Sequence, residues 1–139
     1  MVFLFAALMA VEAKALCVSS KRANLRVSPS TSAAKTWNVV RYMPLRRVGG
    51  KKGWSQVQDV DGDKHWVYNR LVTKKIKCAV IKTKRANLRT APGGKIHPKY
   101  SSAEKYVTFR FVKQKGGWAQ VQDEDGSKYW VARKLIWVQ

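Results

Sequence analysis

The segment GWSQVQDVDGDKHWV, residues Gly53–Val67, returns 64 residues later as GWAQVQDEDGSKYWV, residues Gly117–Val131. In both copies, an Asp-Gly pair separates two short segments that contain Trp and Val. Such residues are typical of strands, and Asp-Gly supplies the positive φ angle that a tight hairpin turn requires. Each segment is therefore predicted to be a β-hairpin. The arms of the first hairpin are predicted at Trp54–Gln58 and Lys64–Val67, with turns at Asp61-Gly62 and, in the second copy, Asp125-Gly126.

A second repeat lies upstream of each hairpin, because KRANLR at Lys21–Arg26 recurs unchanged 63 residues later at Lys84–Arg89. The one-residue difference between the two spacings is expected of a duplication followed by a change in loop length. Each unit then has about 60 residues, which is near the lower limit for independent folding. The linker Thr73–Lys77 is short, so we expect the two units to pack against each other.

The whole chain favours an all-β fold. No window shows helical periodicity, whereas short runs rich in Val, Trp, Tyr and Thr alternate with clusters of Gly, Pro, Asn and Asp. Two domains are predicted, at residues 16–75 and 76–139. The remaining strands are predicted at Cys17–Val18, Ala23–Val27 and Tyr42–Val48 in the first unit, and at Cys78–Ile81, Ala86–Thr90 and Tyr106–Val112 in the second.

The charge of the chain indicates a class of partner. Its 139 residues include 28 Lys and Arg against 8 Asp and Glu, which gives a formal net charge of +20. Because 45% of the residues are hydrophobic and six are tryptophan, this charge belongs to a folded surface rather than to a disordered tail. It attracts polyanions, namely nucleic acid, anionic lipid or acidic polymers of a cell envelope. The candidate polyanion-contacting residues are Arg41, Arg46, Arg47, Lys51 and Lys52, with further basic clusters at Lys74, Lys75 and Lys77 and at Lys113 and Lys115.

The N-terminus has the pattern of a secretory leader. Val2–Val11 is an apolar run of the length of a signal-peptide core, and Ala13 and Ala15 are small residues at the two positions that signal peptidase reads. The run is well short of the roughly 20 residues needed to span a bilayer. We predict a signal peptide at residues 1–15 and a mature chain from Leu16. A buried N-terminal strand or helix stays open as the alternative.

Together these motifs resemble the bacterial SH3-like, or SH3b, domain. Ala23–Arg26 followed by Pro29 resembles the Asn-Val-Arg-Ser-Gly-Pro signature of that family, and the Asp-Gly segment matches its C-terminal hairpin. The resemblance covers Cys17–Val72 and Cys78–Val138. It implies two tandem SH3-like β-barrels, packed closely, of a type that binds ligands in the cell envelope. In several members the ligand is a peptide of peptidoglycan.

Strand parity identifies the candidate ligand-binding residues. If Val57 points into the barrel, Trp54 three positions earlier faces the other side or lies at a bulge, and Trp66 and Val67 cannot both point inward. Each unit therefore displays at least one large ring, in a site where peptides dock on SH3-like folds. A role for the rings in covering the barrel ends or the interface between units is equally open. The candidates are Tyr42, Trp54, Trp66, Tyr106, Trp118 and Trp130, with Trp54 and Trp118 preferred as the exposed ones.

Two cysteines, Cys17 and Cys78, stand near the starts of the two units. In an exported protein this arrangement predicts one disulfide between them. Closing a loop of about 60 residues would stabilise the fold by about 4 kcal/mol in the chain-entropy model. Two free thiols are the alternative, and a zinc site is disfavoured because two ligands do not complete a tetrahedral shell.

The sequence predicts no catalytic residue, metal or cofactor. His65 and His97 have no counterpart in the other repeat, and Tyr129 stands where His65 does, so a catalytic pair duplicated with the fold is excluded. The Asp-rich turns lack the Glu that an EF-hand needs eleven residues after its first Asp. Arg70 and Lys134 stand at those positions.

We therefore expect an exported, non-enzymatic binding protein, periplasmic or secreted, that recognises a peptidoglycan peptide or an envelope protein. Anionic glycan or lipid is a further expected partner, attracted by the basic surface. Two alternatives stay open. One is a structural adaptor whose aromatic residues all pack between the units. The other is a cationic protein that binds nucleic acid, which export would exclude.

The mass of the native protein tests the leader. We expect a chain that begins at Leu16, because signal peptidase would cut after Ala15. Mass spectrometry of the protein from its native host measures this directly. An intact product from Met1 to Gln139 would contradict export.

Overall fold

The computed structural model describes residues 14–139, which form two units joined by the segment between Thr73 and Cys78. The all-β prediction is confirmed. Apart from 3-10 turns at Asn69–Leu71 and Arg133–Leu135, the regular elements of this part of the chain are strands. None of its helical segments is long and apolar enough to cross a membrane.

The predicted leader falls almost entirely outside the described residues. Its last two residues, Lys14 and Ala15, belong to the first strand and pair with Arg47 and Arg46. The predicted cleavage point before Leu16 therefore lies inside a strand, and the leader stays a prediction.

The first unit is one antiparallel sheet. Its strands are β1 (Lys14–Val18), β2 (Arg22–Arg26), β3 (Lys35–Val40), β4 (Pro44–Lys51), β5 (Trp54–Gln58), β6 (Lys64–Tyr68) and β7 (Val72–Thr73). Their spatial order is β3-β2-β6-β5-β4-β1-β7. Both arms of the predicted hairpin, β5 and β6, pair directly with each other.

The second unit repeats this plan in two smaller sheets. Its strands are β8 (Cys78–Ile81), β9 (Arg85–Asn87), β10 (Ser102–Glu104), β11 (Thr108–Lys115), β12 (Trp118–Gln122), β13 (Lys128–Ala132) and β14 (Ile136–Val138). Five of them lie in the order β13-β12-β11-β8-β14, and β9 pairs with β10. The hairpin of β12 and β13 corresponds to that of β5 and β6.

The Asp-Gly turns form as predicted. Gly62 and Gly126 have φ angles of 88° and 87°, in the left-handed region that favours glycine. In the first turn, Oδ1 of Asp59 accepts the backbone N–H groups of Asp61 and Asp63, at 2.9 and 3.0 Å. Oδ1 of Asp59 is thus used to hold the turn. Between residues 14 and 139, no group of three or more His, Cys, Asp or Glu residues is arranged to hold a metal ion.

Each unit encloses its own core. In the first hairpin Val57 and Val67 are fully buried, while Gln56 and Trp66 lie on the opposite face, so the predicted strand parity is confirmed. Other buried members of the first core are Leu16, Val18, Ala23, Leu25, Val39, Met43 and Leu45. Those of the second core include Ala79, Ile81, Ala86, Leu88, Phe109, Val121, Tyr129, Val131 and Ile136.

A tyrosine turns the chain before the fourth strand of each unit, where the sequence predicted continuous strands from Tyr42 and Tyr106. That part of the prediction is wrong, because β4 begins at Pro44 and β11 at Thr108. Tyr42 and Tyr106 have φ angles of 72° and 74°. Between residues 14 and 139, these two are the residues other than glycine that have a positive φ. The Tyr42 backbone N–H donates to the Val18 carbonyl oxygen at 2.9 Å, which fixes the turn against β1.

The chain around β2 and β9 also differs from the prediction. No strand was predicted at β3 or β10, which pair with β2 and β9. A strand was predicted at Ala86–Thr90, but regular pairing ends at Asn87. Beyond it, Arg89 makes single bridges to Ile96 and Trp130. The chain then turns at residues 91–94, where the Gly94 N–H donates to the Ala91 carbonyl oxygen at 2.9 Å.

The two units are joined by the predicted disulfide between Cys17 of β1 and Cys78 of β8. Their Cα atoms are 5.8 Å apart, within the range that a disulfide requires, and both residues are fully buried. Val80 of the second unit is a member of the first unit's core, and Trp137 packs against the same core. The expectation that the units pack closely is therefore confirmed.

Replacing both cysteines by alanine is expected to lower the free energy of unfolding by about 4 kcal/mol. The reason is that the unfolded chain regains the freedom of a loop whose ends are 61 residues apart. Urea denaturation of the oxidised protein and the variant measures the difference, and the reduced wild-type protein is the matched control. A loss below about 1 kcal/mol would contradict the chain-entropy account.

Candidate functional site

The outer faces of the two hairpins carry the predicted tryptophans. Trp66 and Trp130 lie opposite Gln56 and Gln120 in their hairpins and are half-buried on the side away from the core. The Lys113 ammonium lies 5.9 Å from the centroid of the Trp130 ring, within the range of a cation–π interaction. Both rings are thus at the surface, as strand parity requires.

Trp54 is not exposed, contrary to the prediction. Its exposed fraction is 9%, although it also projects away from the core. Tyr68 lies directly opposite it on β6, and the two ring centroids are 5.3 Å apart. The tyrosine covers the indole on the outer face, as cross-strand aromatic pairs do. Trp54 is therefore a packing residue.

Trp118, the equivalent residue of the second unit, is open on that side because its partner on β13 is Ala132. A methyl group covers little of an indole, and Trp118 is only half-buried. The Arg89 guanidinium carbon lies 5.9 Å from the ring centroid. Nη1 of Arg89 donates to the Gly94 carbonyl oxygen at 2.8 Å. The guanidinium is thus held in place beside the ring.

A groove of about 230 Å³ opens beside the exposed side of Trp118. Two guanidinium groups, one amide and one indole border the same space, and no carboxylate lines it. A second shallow groove adjoins the same ring and is bordered by Lys82, Arg133 and Lys134. The first space, called here the Trp118 groove, is lined by Arg85, Asn87, Arg89, Trp118, Ala132 and Leu135.

The first unit has the same polar residues but a closed surface. The repeated hexapeptide places Arg22, Asn24 and Arg26 there. Arg22 Nη1 donates to Asn38 Oδ1 at 3.2 Å, and Asn38 Nδ2 donates to Asn24 Oδ1 at 2.7 Å. Tyr68 stands where the second unit has alanine. The same hexapeptide sequence therefore lies beside a surface covered by Tyr68 in the first unit and beside an open groove in the second.

The free donors of the Trp118 groove determine what it can bind. Within residues 14–139, the side chains of Arg85 and Asn87 make no hydrogen bond, so their N–H groups are available to a ligand. A guanidinium binds a carboxylate through two parallel hydrogen bonds, and an indole face packs against flat or apolar groups. The groove thus suits a ligand that carries a carboxylate next to a flat or apolar group.

Tyr106 lies at the contact between the units, so the predicted grouping of Tyr106 with Trp118 is wrong. Its hydroxyl donates to Oδ2 of Asp61 at 2.6 Å, and its ring packs edge-on against Trp37 with centroids 5.2 Å apart. This hydrogen bond raises the pKa of Tyr106 and lowers the pKa of Asp61. The left-handed turn directs the ring toward the first unit. Tyr42, the equivalent residue, is half-buried in its own turn.

The five basic residues predicted to contact polyanions do not form one patch. Arg46 and Arg47 are successive residues of β4, so they project to opposite sides, and Nε of Arg47 donates to a serine hydroxyl of β5 at 3.1 Å. Nε of Arg41 donates to a backbone carbonyl oxygen at 3.1 Å. Lys51 and Lys52 are exposed where the chain turns into β5.

A family model for the bacterial SH3 domain matches residues 19–74 and again residues 82–138. The chain belongs to the bacterial SH3 domain family. The two matches coincide with the two repeated units, so each unit is an SH3 domain, and the resemblance drawn from the sequence motifs is confirmed.

Three solved structures are similar to most of the tandem SH3 chain, at low identity. NlpC1 from Trichomonas vaginalis is 11% identical with a TM-score of 0.41, over 89% of this chain and 45% of that one. An NlpC/P60 family protein from Bacillus cereus ATCC 10987 is 13% identical with a TM-score of 0.41, over 91% and 56%. The LysPBC5 endolysin CBD is 15% identical with a TM-score of 0.37, over 91% and 94%. The chain spans about half the length of the first two proteins. No curated protein sequence matches it.

His65 and Tyr129 perform the same structural task in the two SH3 domains. Nε2 of His65 lies 2.7 Å from Oδ2 of Asp59, and Nδ1 lies 2.6 Å from the Thr36 hydroxyl. In the second domain, the Tyr129 hydroxyl donates to Oδ2 of Asp123 at 2.7 Å. Burial, followed by this bond, raises the pKa of Tyr129 to about 12. Because a tyrosine replaces it, His65 is best explained as an anchor for the hairpin turn.

Sequence reasoning did not single out Arg85, Arg89 or Ala132. A residue-by-residue comparison of the two repeats could have pointed to this groove, because the arginines are the same in both repeats while Ala132 replaces Tyr68. Only the strand register shows that this change lies opposite a tryptophan.

Trp54→Ala is expected to lower the free energy of unfolding by about 3 kcal/mol, because it removes a buried ring. Trp118→Ala should cost less, about 1 to 2 kcal/mol, because its ring is only half-buried. Urea denaturation of the two single variants, each compared with the wild type, measures both values. Equal losses would show that the two rings are buried alike.

Proposed function

We propose that the protein is a non-catalytic binding module of the cell envelope, and that its second SH3 domain binds peptidoglycan peptides in the Trp118 groove. One observation carries this proposal. Tyr68 fills the position beside Trp54 in the first domain, whereas Ala132 leaves the position beside Trp118 open in the second. The two domains share one fold, but only the second has an open groove beside its tryptophan, and an open groove can hold a ligand.

The chemistry of the groove supports a peptide that carries carboxylates. Peptidoglycan peptides are short and bear free carboxylates beside small aliphatic side chains. Arg85 has free N–H donors, and Arg89 is held over Trp118 by its bond to Gly94. Because Arg89 is oriented before a ligand arrives, little side-chain entropy is lost on binding. The indole then supplies a face for the aliphatic part of the peptide.

Two further features support a place outside the cytosol. The disulfide between Cys17 and Cys78 is of a kind that persists in oxidising compartments such as the periplasm. The net charge of +20 attracts the acidic polymers of a cell wall and raises the local concentration of the protein there. Both agree with the predicted leader at residues 1–15.

A non-catalytic role is supported by the state of His65. Its exposed fraction is 7%, and hydrogen-bond partners occupy both of its ring nitrogens. A general base must reach the proton that it removes, and this ring has no free nitrogen with which to do so. The tyrosine at the same position of the second domain donates its hydroxyl to Asp123, and its pKa of about 12 keeps it protonated near neutral pH.

Co-sedimentation with purified peptidoglycan tests the proposal. The wild-type protein is expected in the pellet, and Arg85→Gln combined with Arg89→Gln should weaken retention at least about tenfold, because two charge-assisted hydrogen bonds are lost. Ala132→Tyr should have a similar effect by filling the groove as Tyr68 does in the first domain.

The matched control lies in the repeat. Arg22→Gln combined with Arg26→Gln removes the same charges from the first domain, including an arginine that bonds a loop carbonyl oxygen as Arg89 does. This variant should be retained like the wild type. Equal retention of all variants would refute the Trp118 groove as the site, and no retention of the wild type would refute the function.

A further inference from the structure

A basic–aromatic pair of the second domain is bound on the first domain. The Lys105 ammonium lies 3.3 Å from Oδ1 of Asp61, and the Tyr106 hydroxyl donates to Oδ2 of the same carboxylate at 2.6 Å. The Tyr106 ring packs edge-on against Trp37, and the Lys105 ammonium lies 5.0 Å from the Tyr106 ring centroid. One carboxylate and one indole therefore hold a lysine and the tyrosine that follows it.

The aromatic wall of this receptor is repeated in the second domain. In the first domain the Trp37 ring centroid lies 6.3 Å from that of His65. In the second domain Tyr100 lies 6.4 Å from Tyr129, which replaces the histidine. The two pairs are tilted to similar extents, 42° and 48°. The Tyr100 ring thus lies beside Tyr129 at the distance and tilt at which the Trp37 ring lies beside His65, although the strand register places Ser101, one residue later, at the backbone position of Trp37. The exposed fraction of Tyr100 is 54%.

The acidic side of the receptor is repeated as well. Asp125 holds the hairpin position of Asp61, and Asp123 and Glu124 adjoin it. These three and Glu104 line one groove together with a single basic residue, Lys105, so half of the chain's eight acidic residues surround a single space. In a protein of net charge +20, this is a local reversal of sign that favours a basic ligand.

The space between these groups is open. It has a volume of about 780 Å³, and we call it the seam groove because Val40 of the first domain closes one side of it. Its apolar border is exposed: Tyr106 and Val107 are about two-fifths exposed, and so is Val40. Its aromatic and acidic lining includes Tyr100, Glu104, Tyr106, Asp123, Asp125 and Tyr129.

Lys99 shows that the carboxylates of this groove accept an ammonium group. Its Nζ lies 2.8 Å from the Ser127 hydroxyl, 3.4 Å from Oδ2 of Asp125 and 3.7 Å from Oδ2 of Asp123. The Lys99 and Asp125 side chains are exposed, and such surface pairs are weak and exchangeable. A ligand with its own basic group would displace Lys99.

We infer that the seam groove binds a polypeptide partner through a Lys or Arg followed directly by a Tyr, held as Lys105 and Tyr106 are held on the first domain. The basic side chain would bind Asp125 and the tyrosine ring would pack against Tyr100. The inference does not depend on the proposed function, because the seam groove and the Trp118 groove share no lining residue.

A peptide with the chain's own sequence is the probe. Acetyl-AEKYVT-amide reproduces residues 103–108, and ¹⁵N NMR titration of the full chain follows its binding. We expect saturable shifts centred on Tyr100 and Asp125. Control peptides in which Lys is replaced by Gln, or Tyr by Ala, should bind at least about tenfold more weakly, because each loses a hydrogen bond to a charged group.

Two variants of the protein should act in opposite directions. Asp125→Asn should weaken binding of the probe about tenfold or more, whereas Lys99→Ala should strengthen it about two- to fivefold by removing a competitor for the carboxylates. Asp63→Asn removes an exposed acid of the first domain and should change nothing. Arg85→Gln with Arg89→Gln should also bind the probe normally, which separates this test from the peptidoglycan test.

Three outcomes would overturn the inference. The first is the absence of saturable shifts at a probe concentration of about 5 mM, near the limit of weak binding. The second is equal binding by the Asp125→Asn and wild-type proteins. The third is dimerisation of the chain that Asp125→Asn abolishes and the probe blocks, since the occupant would then be a second copy rather than a different partner.

Discussion

A domain of about 60 residues can close its strands around one core only, so every second residue of its hairpins must lie on the outside. Once Val57 and Val67 are buried, Trp54 and Trp66 have no place inside. Whether an outer ring is covered then depends on the residue opposite it. A tyrosine closes the surface around Trp54, and an alanine leaves the surface around Trp118 open. Site formation is thus controlled by a residue whose first effect is on packing.

The small size of each domain's core also explains the contact between the domains. Val80 and Trp137 of the second domain complete the first domain's core, and the adjacent disulfide makes that sharing permanent. Neither domain is then free to rotate about the linker. The seam groove, which is closed on one side by Val40 of the first domain, therefore keeps its shape.

Features that depend on neighbouring residues in the sequence were predicted correctly, whereas features that depend on tertiary contacts were not. The Asp-Gly hairpins follow from turn chemistry, and the faces of their residues follow from the alternation of side chains along a strand. The disulfide follows from the expectation that the protein is exported to an oxidising compartment. A positive φ at Tyr42 and Tyr106 has no local signal, because tyrosine rarely adopts it. The burial of Trp54 also escaped prediction, since it requires knowing that Tyr68 lies opposite. The Trp118 groove could be found only after the register was known.

The contact between the domains is of the head-to-tail kind, because Lys105 and Tyr106 of one repeat bind Trp37 and Asp61 of the other. A head-to-tail contact between two copies of one fold always leaves one donor surface and one acceptor surface unused. In a long array each acceptor would be filled by the next repeat. On the second domain described here, the corresponding acceptor surface is open and Tyr100 is exposed. The seam groove is therefore a consequence of duplication itself, and the four acidic residues around it are what make it selective for a basic segment.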